Sequence, residues 1–158
     1  MRVELYERIW LWIGSAMIVF FLAIIVSSSA MHAVHPPSHV ETIDPGTVLS
    51  DSEFSHPRIE THADGSVEVI GTAEMYVFKP GTIRVRRGKP VTFRLTSADV
   101  VHGFQIVGTN ANATLLPGYI SQFTLAFPNA GEFLIVCNEY CGLSHHLMQA
   151  RLVVEEAP

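Results

Sequence analysis

Residues 9 to 31, IWLWIGSAMIVFFLAIIVSSSAM, carry no charged side chain, and no other feature restricts the architecture so strongly. As a helix rising about 1.5 Å per residue the run is about 34 Å long, enough to cross a hydrocarbon core of about 30 Å. SSSAMHA has the small residues of a signal cleavage region. The run, however, is longer than the roughly 7–15 apolar residues of a signal core, and Glu4 and Glu7 dilute the positive charge expected ahead of one. A retained membrane anchor is therefore expected, with Trp10 and Trp12 at an interface. Arg2 and Arg8 precede the span, and no Lys or Arg follows until Arg58. The bias in basic residues predicts a single pass through the cell membrane, with residues 1–8 cytoplasmic and the chain from residue 32 on the periplasmic side.

The formal net charge is −5. Arg2 and Arg8 are offset by Glu4 and Glu7, so the acidic excess lies beyond the span. That balance argues against a nucleic-acid partner and suits a cationic one. Residues 32–65 are rich in His, Pro, Ser, Asp and Glu without a sustained period, and read as a linker or cap. His32, His35, His39, His56 and His62 fall there and are read as solvated, not as ligands. From residue 66 to 158 the pattern changes to short runs such as TIRVRRG, KPVTFRLTS and GEFLIVC, apolar at alternate positions and separated by Gly, Pro and Asn. Val85, Val91, Phe93 and Leu95 alternate with polar neighbours. About seven or eight strands and no further helix predict an all-β domain, a small antiparallel sandwich or Greek-key barrel.

Both cysteines fall within CNEYCGLSHHLM, residues 137 to 148. A disulfide between Cys137 and Cys141 would close too small a loop to remove much chain entropy, and it leaves His145 and Met148 unexplained. A thiol redox pair is usually Cys-x-x-Cys at a helix start in an α/β fold, whereas this spacing follows a strand in an all-β pattern. Thiolate, imidazole and thioether form a soft ligand set that favours copper or zinc. Structural zinc has no use for Met, and a mononuclear blue copper needs only one Cys. A second thiolate is what a pair of coppers requires, because each sulfur can then bridge both metals. One more imidazole is needed from elsewhere. His102 in DVVHGFQIVG is the choice, between apolar neighbours and ahead of Gly103, which permits close backbone approach. By spacing alone, either His145 or His146 could serve beside the cysteines.

Cys137, Glu139, Cys141, Gly142, His145 and Met148 together resemble the binuclear copper A signature of cytochrome c oxidase subunit II, and VVHGFQI resembles that family's first-histidine segment. The single anchor, the short length and DVVHGFQIVGTNANATLLPG are most similar to the subunit of ba3-type oxidases. The resemblance implies a cupredoxin-like Greek-key domain behind one transmembrane helix. It also implies two copper ions bridged by Cys137 and Cys141, each ended by one of His102 and His145. Met148 and the Glu139 backbone carbonyl would be weak ligands, one to each copper, and the family register selects His145 over His146. The Glu139 carboxylate matches a position that binds an interfacial magnesium in two-helix relatives. Tyr76 matches an aromatic near the point where electrons arrive, or is an ordinary strand aromatic. Asp99 is either an acceptor that orients an imidazole or a solvated carboxylate.

The resemblance further implies that the chain is the electron inlet of a haem–copper terminal oxidase. Electrons would come from cytochrome c and pass to haem, held only in the partner subunit I, where oxygen is reduced and protons are pumped. Gly14, Ser15 and Ala16 would offer a small-residue contact to that subunit. A related nitric oxide reductase subunit and a membrane-anchored copper-delivery protein are the alternatives.

Overall fold

The computed structural model describes residues 4–32, 41–50 and 52–156 and divides into two compact units, residues 1–39 and 40–158. The first is one helix, α1 (Leu5–His32), whose stretch Leu5–Ala30 is long and apolar enough to cross a membrane. Its apolar side chains are exposed along its length, as a lipid-facing helix requires. Glu7 lies in the first turn, where its charge complements the helix dipole.

The second unit is a two-sheet β domain. Its strands are β1 (Glu41–Thr42), β2 (Arg58–Thr61), β3 (Val67–Glu74), β4 (Val77–Lys79), β5 (Thr82–Arg86), β6 (Pro90–Ser97), β7 (His102–Ile106), β8 (Asn112–Leu115), β9 (Tyr119–Ala126), β10 (Gly131–Val136) and β11 (Gln149–Glu155). One sheet runs β1-β9-β6-β3-β2, with β4 also on β3; the other runs β5-β11-β10-β7-β8. The order β6-β3 joins strands separated by β4 and β5, so the chain leaves the first sheet and returns. That crossover makes β3–β6 parallel, and β11–β5 is parallel for the same reason. A purely antiparallel sandwich is therefore not what forms. Alternating sequence does not reveal pairing direction, because the side-chain period is two in either case.

The alternation itself translates directly into burial. Ile83 and Val85 of β5, Val91, Phe93 and Leu95 of β6, and Ala150, Leu152 and Val154 of β11 point into the core. Phe93 stacks on Phe123 at 5.1 Å, and Phe78 meets Phe104 edge-on at 5.5 Å. The buried rings of Phe78, Phe93 and Phe104 each contribute about 1.5–3 kcal/mol through removal from water.

Residues 41–61, part of the stretch expected as a linker or cap, contain two strands and two 3₁₀ turns, Pro45–Thr47 and Glu53–Ser55. Asp44 and Ser52 cap the turns through their side chains. Val48 and Phe54 are fully buried over Ile70 on the outer side of β3. Arg94 of β6 fastens the segment by bonding Glu41 and Glu53, and this raises its already high pKa further, against its own burial. His35 and His39 lie outside the described residues, as does the side chain of His32. His62 is exposed and His56 sits on the surface beside Ser55.

Candidate metal centre

Two segments build the site. Strand β7 opens on His102, which is completely buried. The loop 137–148 joins β10 to β11 and is pinned at its neck by Cys137 N–H donating to the Met148 carbonyl at 3.2 Å. His145 N–H donates to Gly142 O and Met148 N–H to His145 O, curling the distal half into a 3₁₀ turn, His145–Leu147.

The close approach expected at Gly103 is present. A Cβ there would fall 2.8 Å from the backbone nitrogens of Asn138 and Glu139 and closer still to the Asn138 side chain. Only glycine lets β7 lie against the cysteine loop, which brings His102 to Cys137. Asn138 in turn donates to the Asn112 side chain of β8 at 3.0 Å. Gly142 has a φ of +131°, and a Cβ on it would lie 2.6 Å from the Tyr76 hydroxyl. Tyr76, half-buried in the turn between β3 and β4, is thereby packed on the loop beside Cys141.

Every side chain singled out as a ligand in the sequence is in this cluster. The two sulfurs are 3.8 Å apart, far beyond the ~2.05 Å of a disulfide, and both cysteines are free and buried. His102 Nδ1 lies 3.9 Å from Cys137 Sγ, His145 Nδ1 3.5 Å from Cys141 Sγ, and Met148 Sδ 3.7 Å from Cys141 Sγ. The Glu139 carbonyl oxygen is 3.1 Å from Cys137 Sγ, while its residue is exposed. The ligand atoms of His102, Cys137 and Cys141 all lie within 4.8 Å of one another. His146 is exposed, so the structure turns His145 and not His146 toward the sulfurs.

Asp99 is not a free loop carboxylate. His102 Nε2 is 2.8 Å from its Oδ1, and Met75 N–H and Val100 N–H donate to it at 2.7 and 2.6 Å. Burial raises the Asp99 pKa, but the bonds from His102, Met75 and Val100 outweigh it and hold the carboxyl below its ordinary value. Burial, reinforced by Cys137, pushes the Cys141 thiol up to about 11. Two thiols, two imidazole nitrogens, a thioether and a carbonyl converging in a mostly apolar pocket fit a soft metal such as copper. Sequence reasoning does not reach the supporting contacts Asn138–Asn112, Met75–Asp99 and Tyr76–Gly142. Of these, only Gly142, a glycine directly after a cysteine, carries a signal of close packing.

Residues 64–157 match the family described as cytochrome c oxidase subunit II, periplasmic domain. The chain is 37% identical over 155 residues to cytochrome c oxidase subunit 2 of Thermus thermophilus, an alignment spanning 96% of this chain and 92% of that protein. It is 34% identical over 79 residues to an alternative cytochrome c oxidase subunit 2 of Bradyrhizobium diazoefficiens, spanning 50% of this chain and 28% of that one. Among solved structures, it superposes on a chain of a haem–copper terminal oxidase dimer with a TM-score of 0.76 at 27% identity, over 95% of this chain and 99% of that one. The periplasmic domain of oxidase subunit II from Bradyrhizobium japonicum aligns with a TM-score of 0.52 at 20% identity, over 61% of this chain and 87% of that one. That last likeness is one of fold: a cupredoxin-like domain.

Proposed function

The chain belongs to the cytochrome c oxidase subunit II family, and from that premise we propose how its residues make it the electron inlet of a haem–copper terminal oxidase. In this reading Cys137 and Cys141 would hold a copper pair through their sulfurs, His102 and His145 would supply the imidazole ligands, and Met148 and the Glu139 carbonyl would be weak ligands. What carries the reading is the convergence of four groups, two imidazoles, a thioether and a carbonyl, around two sulfurs 3.8 Å apart. The bound pair supplies a one-electron relay between a soluble donor and haem in the large membrane subunit, subunit I.

The remaining work falls to this chain's own residues. The Cys137 and Cys141 thiolates would spread charge over the pair, so that little would have to move when its charge changes. The strands β7 and β10, joined by hydrogen bonds between Gln105–Ile106 and Ile135–Val136, hold the arms of the site at fixed separation. Phe104, Ile106, Leu115 and Ile135 in the core behind it keep water out, which strengthens electrostatic interactions inside. Around the loop, Tyr140, Leu143 and Leu147 are exposed and present apolar surface at which a donor such as cytochrome c would dock. The acidic excess of the domain favours a basic donor. The helix α1 makes the chain a single-pass membrane subunit; its basic N-terminal flank favours a cytoplasmic N-terminus and a periplasmic β domain. The oxygen chemistry and proton pumping belong to subunit I.

The test is to load the full chain in detergent with copper and record metal content with optical and electron-resonance spectra. The expected result is about two coppers per chain and a purple, mixed-valence signal. One copper with a single-site signal, or a colourless protein, overturns it.

A further inference from the structure

The two imidazoles at the site are held by unequal means. His145 is half-exposed with its ring centroid 5.8 Å from that of Tyr140, and it has no carboxylate partner among the described residues. His102 is completely buried and lies 2.8 Å from Asp99 Oδ1 through Nε2. A carboxylate only accepts, so that contact requires the proton on Nε2. The lone pair is then on Nδ1, the atom that faces Cys137 Sγ.

Asp99 is itself held at both oxygens. Oδ2 accepts from Met75 N–H, and Oδ1 accepts from Val100 N–H as well as from His102. The carboxylate therefore ties the turn between β3 and β4 to the start of β7. That same turn places Tyr76 against Gly142 on the other arm of the site.

We propose that Asp99 is a positioning residue that fixes His102 in the Nε2–H form, aims Nδ1 at the sulfurs, and by its charge makes the His102 end the more strongly donating end of the centre. The assignment rests on the copper reading above for its consequence, but not for the tautomer, which exists without metal. A carboxylate partner raises the basicity of an imidazole ligand, and losing such a partner typically costs about 10–100-fold in metal affinity. His145, with no such partner, is left as the weaker donor.

The experiment uses the full chain in detergent, labelled with ¹⁵N-histidine, as parent, Asp99→Asn and Asp99→Ala. Without metal, the ¹⁵N shifts of His102 report its tautomer. The parent is expected in the Nε2–H form and Asp99→Ala in a mixture of both forms. In chelator competition, Asp99→Ala is expected to hold copper roughly 10–100-fold more weakly. The Asn side-chain carbonyl of Asp99→Asn still accepts from Nε2–H. That variant should keep the parent's tautomer and copper retention while its reduction potential rises, because a negative charge is gone. A purely structural residue would move neither tautomer nor potential. An unchanged His102 tautomer and unchanged copper release in Asp99→Ala overturn the orienting role; an unchanged potential in Asp99→Asn overturns the electrostatic one. If the parent fails to bind copper at all, the copper reading falls, while the metal-free tautomer still decides the orienting role.

Discussion

The two arms of the centre are built on different principles. The His102 arm begins a strand, is completely buried, and is locked by Asp99 on one side and by the Gly103–Asn138 approach on the other. The His145 arm is a 3₁₀ turn at the surface, flanked by exposed Tyr140, Leu143 and Leu147. The first arm provides fixed geometry and the second provides an edge that a partner can reach. An electron relay needs both, since a wholly buried centre is too far from its donor and a wholly exposed one is wet and mobile. The largest expected asymmetry follows from removing each imidazole. His102→Ala should release copper at least about 100-fold more readily, the upper range for loss of a mere supporting bond, because His102 is completely buried and no second histidine adjoins it in sequence. His145→Ala should lose less, because water or His146 can reach the vacated side. Chelator competition on the two loaded variants measures the difference; equal losses would erase the distinction between the arms.

Two glycines sharpen it further. At Gly103 a Cβ meets backbone nitrogens at 2.8 Å that cannot move without shifting the cysteine loop. Gly103→Ala should therefore destabilise the domain by about 1–3 kcal/mol through overpacking and weaken copper retention as well. At Gly142 the obstruction is the end of the Tyr76 side chain at 2.6 Å, combined with a φ of +131°. Gly142→Ala should cost about 1–3 kcal/mol, mostly as backbone strain, and Tyr76→Phe should restore part of that loss. The same Tyr76→Phe change should restore nothing in Gly103→Ala. Denaturant unfolding of the single and double variants gives the coupling.

What the sequence discloses and what it withholds divides along similar lines. The proposed ligand residues are chemically distinctive and closely spaced, so CNEYCGLSHHLM with His102 is readable as one set, and alternation in β5, β6 and β11 names much of the core. The segment 41–61 is not readable. Its stability comes from Phe54 and Val48 covering Ile70 and from Arg94 reaching across to Glu41 and Glu53, contacts between residues about 15 to 50 apart that leave no period in short turns. Asp99 admits two readings in sequence, because only folding puts it within 2.8 Å of His102.

The sulfurs give the centre a response to pH. In the metal-free protein the Cys141 thiol is pushed up from 9.0 to about 11, so it is protonated at neutral pH and must lose its proton to bind metal. Copper affinity should rise with pH, about tenfold per unit for each thiol proton displaced, levelling off only as pH approaches the thiol's own value. The metal-free fold carries the opposite trend. A raised folded pKa contributes stability present below pH 9 and lost as pH climbs through about 11. Isothermal titration at several pH values and unfolding of the metal-free chain between pH 8 and 11 check the two signs separately.

The smallest effect belongs to the residue adjacent to a proposed ligand. His146 is exposed beside His145, and its ring makes no hydrogen bond or ion pair among the described residues. His146→Ala should change stability by no more than about 0.5 kcal/mol, the range for exposed positions, and leave the copper spectrum as in the parent. It becomes visible only when His145 is gone. If His146 is what rescues His145→Ala, then adding His146→Ala to that variant should increase copper loss, whereas rescue by water leaves it unchanged. A spectrum altered by His146→Ala alone would mean that the loop is turned by one residue from the arrangement in which His145 Nδ1 lies 3.5 Å from Cys141 Sγ, and the exposed arm would then have a different ligand.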